Sequence, residues 1–175
     1  MKKTTIVYIF FLLNVLTTPM FLQAQDKATI TVTIKSLKAT STDTCNGKMD
    51  FYAKIHIGEK VKNFPVREGN NLQELNWQFV ATTDKDVITP TIEIWDDDDS
   101  FCGGGDDAVS ISGSINKVRK TLNTSESQNL EYSSIGTSSR NGSEIGQITY
   151  SISIVPIKTK TQLLSQQSWK KIRVE

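Results

Sequence analysis

Between Ala28 and Ile157 the chain alternates apolar and polar residues at a period of two, run after run, and this limits the possible folds more than any other feature of the sequence. In ATITVTIKSL, Ile30, Val32 and Ile34 fall on one side and Thr29, Thr31 and Thr33 on the other. DFYAKIHIG repeats the pattern with Phe51, Ala53, Ile55 and Ile57, then stops at Gly58. Successive side chains of a strand point to opposite faces, so such runs bury one face and wet the other. KVKNFPV, LNWQFVAT, TPTIEIW, AVSISG, NLEYSSI and GQITYSISIVPI bring the count to about eight strands. No amphipathic helical pattern of ten or more residues interrupts them. The pattern predicts an all-β, eight-stranded antiparallel β-sandwich. A 37% apolar share over 175 residues suits one domain of this kind.

The ends differ from this core. Lys2 and Lys3 precede an apolar run from Ile6 to Leu16, followed by Thr17, Thr18 and Pro19 and the polar Gln23-Ala24-Gln25-Asp26. This reads as a secretory signal peptide, residues 1–24, cleaved near Ala24. The run is short for a membrane span; an uncleaved anchor is the alternative. The expected domain is then 26–157, in a secreted, periplasmic or otherwise extracytoplasmic location. Residues 158–175 form a basic C-terminal tail, with Lys158, Lys160, Lys170, Lys171 and Arg173 against Glu175. A formal net charge of +1 gives no reason to expect a nucleic-acid partner.

Export alters the meaning of Cys45 and Cys102, the only two cysteines. An even number in an oxidising compartment suggests one disulfide, with two unpaired thiols as the alternative. A bridge across this separation would restrict the unfolded chain by about 4 kcal/mol in the chain-entropy account.

The chemistry is concentrated in an acidic segment. Six of the twelve residues from Asp96 to Asp107 are Asp and none is basic. Carboxylates held that close repel one another unless a cation or strong hydrogen bonding compensates. Oxygen donors in a flexible shell suit Ca²⁺, and the absence of nearby His speaks against zinc. As IEIWDDDD leaves its strand, Asp96 and Asp98 project to the same side and Asp97 to the other, where its carbonyl still reaches the same centre. A second acidic pair, Asp43 and Asp50, flanks the loop DTCNGKMD. Because Cys45 lies in one loop and Cys102 in the other, a disulfide would bring both loops to one end of the sandwich. A solvated acidic loop is the alternative reading. The segment does not make an EF-hand: its sixth position is Phe101, where that loop needs Gly.

These residues resemble the C2 domains. DTCNGKMDFYAKIHIG is similar to the family's first calcium loop and the strand after it, IEIWDDDDSFCGGGDDAVSISG to its third calcium loop, and LNWQFVAT to its strand with an aromatic-x-Phe signature. The resemblance covers roughly Ala28 to Ile157 and implies an eight-stranded sandwich binding two or three calcium ions, often with docking on acidic phospholipid. Carried over, Asp43 and Asp50 match the first loop's acids, Asp96 and Asp98 the third loop's first two, and Asp106 or Asp107 its last. Phe51 stands where many members have Pro, so this is a divergent branch. Lys60 and Lys62 make a thin match to the polybasic strand, so phosphoinositide recognition is not implied. Met49 and Phe101 are the candidate membrane contacts, one in each acidic loop.

The remaining inventory is sparse. His56, the only histidine, falls on the outer face of its strand and reads as a solvated side chain. There is no G-x-S-x-G motif. Asn123 and Asn141 open glycosylation sequons. The sequence therefore points to an exported, calcium-binding C2-like module that docks on an anionic lipid surface or a protein partner. A sandwich using calcium only for stability and a metal-assisted hydrolase are the alternatives.

Overall fold

The computed structural model describes residues 27–41, 47–97, 105–137 and 144–158. The signal-peptide segment, Asp43, Cys45, Asp98, Phe101, Cys102, Asn141 and the tail beyond residue 158 lie outside the described residues. Eight strands of three residues or more run through the rest: β1 (Lys27–Ala39), β2 (Asp50–Ile57), β3 (Lys60–Asn63), β6 (Trp77–Thr83), β8 (Thr91–Asp96), β10 (Lys117–Arg119), β12 (Gln128–Ile135) and β13 (Gly146–Ile157). Five two-residue segments complete the set: β4 (Arg67–Glu68), β5 (Asn71–Leu72), β7 (Val87–Ile88), β9 (Asp107–Ala108) and β11 (Leu122–Asn123).

All but β7 and β11, which pair as a separate two-stranded ribbon, form a sandwich of two antiparallel sheets. One has the order β12-β13-β1-β5, with β6 also paired to β1; the other has the order β10-β8-β2-β3, with β4 on β2 and β9 on β8. The alternation in the sequence decides what lies between them. Ile30, Val32 and Ile34 are fully buried, as are Ala53 and Ile55, and Ile92, Ile94, Ile148 and Ile152 close the same core. A register shift between Ile34 and Ser36 reverses the parity of β1, so that Leu37 also turns inward. The β2–β3 hairpin turns through Gly58 and Glu59, and Gly58 takes φ +61°, which a two-residue turn of this kind asks of its first residue.

Two features depart from the sequence pattern. AVSISG alternates like a strand, yet only Asp107–Ala108 pairs with β8. After it, the chain crosses between the sheets: the Val109 N–H donates to the Ile94 carbonyl and the Ser110 N–H to that of Glu144. Val109 and Ile111 are buried, which produces the alternation without a ladder. The strand beside β8 is β10 instead. Second, Lys60 and Lys62 reach from β3 to the other sheet, where their ammonium groups donate to the carbonyls of Thr82 (3.3 Å) and Gln78 (2.8 Å) on β6. Lysines against a sheet edge also discourage edge-to-edge pairing with other chains.

Candidate calcium-loop apex

The expected ligand aspartates that are described gather at one end of the sandwich because three strand ends meet there. Phe51 of β2 pairs with Asp96 of β8, which pairs in turn with Asp107 of β9. Asp50 opens β2 and lies opposite Glu68 of β4. Asp96 occupies the inward parity of β8, in line with Ile92 and Ile94, and is 2% exposed. A carboxylate at the lip of an apolar core needs a donor, and Asp96 Oδ1 accepts the backbone N–H of Asp50. The Asp50 carbonyl accepts the Asp97 N–H at 3.0 Å, which locks the two strand ends together. The Asp97 side chain is exposed.

Asp106 and Asp107 are both exposed but differently placed. The Tyr52 hydroxyl donates to the Asp106 carboxylate, drawing it toward the outer face of the β2–β8 sheet. There Tyr52 stacks beside Trp95, with ring centroids 6.5 Å apart and planes at 14°, and the Lys54 ammonium lies 5.5 and 5.1 Å from the two centroids. Burial, then the hydrogen bond to Asp106 and the charges of Asp106, Asp97 and Glu93, push the Tyr52 hydroxyl well above its ordinary range, so it remains a donor. Asp107, directly across the ladder from Asp96, shares its side of the sheet.

The first loop is braced by residues that the acidic pattern did not point to. Asn70 Oδ1 accepts the Met49 N–H at 3.0 Å, and Asn70 Nδ2 donates to the Gly47 carbonyl at 2.8 Å. The Gly69 N–H donates to the Met49 carbonyl at 2.8 Å. Gly69 takes φ +144°, and a Cβ there would lie 2.9 Å from Leu72 Cδ2. The only sequence signal for this brace is the turn-forming run Gly69-Asn70-Asn71. Lys48 pairs with Glu68 at 2.6 Å on the surface, and the Glu68 hydrogen bond and charge raise the Lys48 ammonium above its usual value.

One sequence expectation is overturned here. Met49, a candidate membrane contact, is fully buried in the core. It stands one residue before β2, with its N–H and carbonyl both tied to the 69–70 turn, so its side chain packs inward and cannot form an exposed tip. His56 lies on the outer face as expected, but it is half-buried rather than solvated, with Nε2 shielded from solvent 3.5 Å from Glu93 Oε1. Burial alone would raise the Glu93 carboxyl, but the Lys117 ammonium at 2.8 Å and the neighbouring His56 outweigh it and hold the carboxyl below its ordinary value.

This topology has known counterparts. The chain superposes on a C2 domain of plant extended synaptotagmin 1 with a TM-score of 0.52 at 12% identity, covering 75% of this chain and 97% of that one. It has the fold of a C2 domain. Human GIVD cytosolic phospholipase A2, in complex with methyl gamma-linolenyl fluorophosphonate, matches with a TM-score of 0.51 at 10% identity, over 77% of this chain but only 17% of the enzyme. No protein-family model matches the sequence, and no curated protein matches it. The C2 fold is thus adopted by a sequence far from its structural counterparts. In this C2 sandwich the apex described above occupies one end, where the two acidic segments leave β8 and enter β2.

Proposed function

We propose that the chain is an exported, calcium-binding C2 module whose loaded apical loops dock it on an anionic lipid or protein surface, and that it acts by binding, not catalysis. The observation that supports this most is the convergence of Asp50, Asp96 and Asp107 on three hydrogen-bonded strand ends, with Asp96 buried. The donors are oxygen only, which fits a hard cation. Among the described residues no group of three or more His, Cys, Asp or Glu is assembled tightly enough to hold a metal. Asp43 and Asp98 would complete the set, with Asp97 contributing through its carbonyl. Of the last pair, Asp107 is the better ligand, since Asp106 is engaged by Tyr52.

When bound, calcium would offset the carboxylate repulsion and let the apex approach an anionic surface. Phe101 is the remaining apolar tip candidate. A Cys45–Cys102 bridge would hold the two loops together before the ion arrives and lower the ordering cost of binding. Extracellular modules of this type bind calcium at about 10⁻⁴ to 10⁻³ M, and that is the expected range.

The test is calorimetric calcium titration of the mature protein and of Asp96→Asn, with vesicle cosedimentation on phosphatidylserine. Asparagine retains an oxygen to accept the Asp50 N–H but removes the charge, so the fold should persist while calcium binding is lost. Calcium at about ten times Kd should stabilise the unmutated protein by about 1.4 kcal/mol and the variant by nothing measurable. An unchanged isotherm in the variant would overturn the site. Calcium stabilisation without vesicle binding would leave only the structural role.

A further inference from the structure

A recess opens on the flank of the sheet that holds β8, between the crossing segment 108–116 and β10. Its volume is about 570 Å³, and its wall carries Ser110, Ser112, Ser114, Asn116, Lys117 and Arg119. The local fold explains why these groups share one space. Val109 and Ile111 turn into the core, which sends Ser112, half-buried, the other way; Ser110 is itself only 2% exposed, with its N–H and carbonyl held by Glu144 and Gly146. The chain then folds back on itself, with the Ile111 and Ser112 N–H groups both donating to the Ile115 carbonyl at 2.9 and 3.2 Å. On β10, Val118 is buried, so its neighbours Lys117 and Arg119 face outward toward the serines.

The charge is unevenly used. Lys117 is committed to Glu93 at 2.8 Å. Arg119 is exposed and makes no ion pair or side-chain hydrogen bond among the described residues. The hydroxyls of Ser112 and Ser114 and the uncommitted guanidinium are the donors left in a wall that is otherwise mostly apolar, since the Asn116 amide nitrogen donates to the Ile94 carbonyl at 3.5 Å. The complementary ligand is a tetrahedral oxyanion, because the guanidinium fork spans two of its oxygens and hydroxyls can donate to the others. The volume is that of a small-molecule site and exceeds what a bare oxyanion needs. Ile115, 54% exposed on the same wall, offers an apolar surface to a carbon skeleton.

We propose that this recess binds the phosphate or sulfate ester of a small hydroxylated ligand, with Arg119 as the principal anchor and the serines as secondary donors. Asp107 adjoins Ala108 at the apical rim and opposes an anion, so binding is modest and weakens with salt. Recognition uses none of the apical carboxylates, so the site is expected to bind with calcium removed, while calcium on Asp107 would relieve that opposition.

The experiment is an amide chemical-shift titration of the mature protein in EDTA with inorganic phosphate, inorganic sulfate, glucose 6-phosphate and uncharged glucose. Vesicles containing phosphatidic acid form a separate arm. Saturable shifts confined to residues 110–119 with the charged solutes, tighter for the sugar phosphate than for glucose, are expected. Arg119→Gln should weaken binding about tenfold or more, Arg119→Lys less, and the remote Lys85→Gln not at all. Saturation by the sugar phosphate identifies a soluble ester; vesicle binding that also depends on Arg119, without such saturation, identifies a lipid headgroup. Shifts absent from this segment in every arm, or equal affinities for unmutated protein and Arg119→Gln, would overturn the assignment. Calcium isotherms unchanged by Arg119→Gln keep this outcome separate from that of the apex.

Discussion

Replacing Asn70 by alanine tests how the first apical loop is held. The amide makes two bonds: its oxygen accepts the N–H of Met49 at 3.0 Å, and its nitrogen donates to the Gly47 carbonyl at 2.8 Å. Met49 is fully buried, so its N–H would be left without a partner and without water, at a cost of about 1–3 kcal/mol. Gly47 is exposed, and its carbonyl exchanges the lost bond for water at about 0.5 kcal/mol or less. The sum is about 2 kcal/mol, which for a domain of this size lowers Tm by roughly 6–8 °C. Circular dichroism melts in EDTA read the fall directly, and calorimetry should then show weaker calcium binding, because the loop entering β2 must be ordered by the ion. Asn71→Ala is the control: its side chain is exposed and, among the described residues, accepts only from Gln73, so its Tm should stay within about 1 °C. If Asn70→Ala melted as the unmutated protein does, the amide would not be the brace.

Two further outcomes follow from burial. Met49→Ala should cost about 2–5 kcal/mol in urea unfolding, as truncation of a fully buried side chain does; a surface tip would instead leave stability intact and reduce only vesicle binding. Burial, then the charge of Tyr132, pushes the Tyr150 hydroxyl up to about 12 from 10.0. The unfolded chain therefore ionises before the folded one, so this contribution is full below about pH 10 and is lost, by an amount of order 2 kcal/mol, as pH rises toward about 12. Urea unfolding at stepped alkaline pH should show a shallower decline in Tyr150→Phe, and identical slopes would refute the assignment.

How far the sequence carried can be judged residue by residue. The inward set of β1 and β2 was legible because strand parity is a local property: Ile30, Val32 and Ile34 needed no knowledge of their partners. Leu37 was not, since the bulge that turns it inward depends on register with β13. AVSISG carried the same alternation as a strand, because a segment crossing between two sheets buries alternate residues too. Met49 was misplaced for a related reason: proximity to an acidic loop does not say which way a side chain turns once its backbone is tied to residues about twenty positions away.

The order of apolar and polar residues, then, determined by itself that this chain would be a sandwich, which faces would be buried, and that carboxylates would crowd its strand ends. Tertiary structure alone decided that Asp96 would be capped by Asp50, that Tyr52 would claim Asp106, that Asn70 would hold the first loop, and that Arg119 would share a recess with Ser112 and Ser114. The division has a physical cause. Alternation is written into every pair of adjacent residues, whereas the apical contacts join segments twenty or more positions apart, and all of them exist only when strand pairing fixes the ends that carry them.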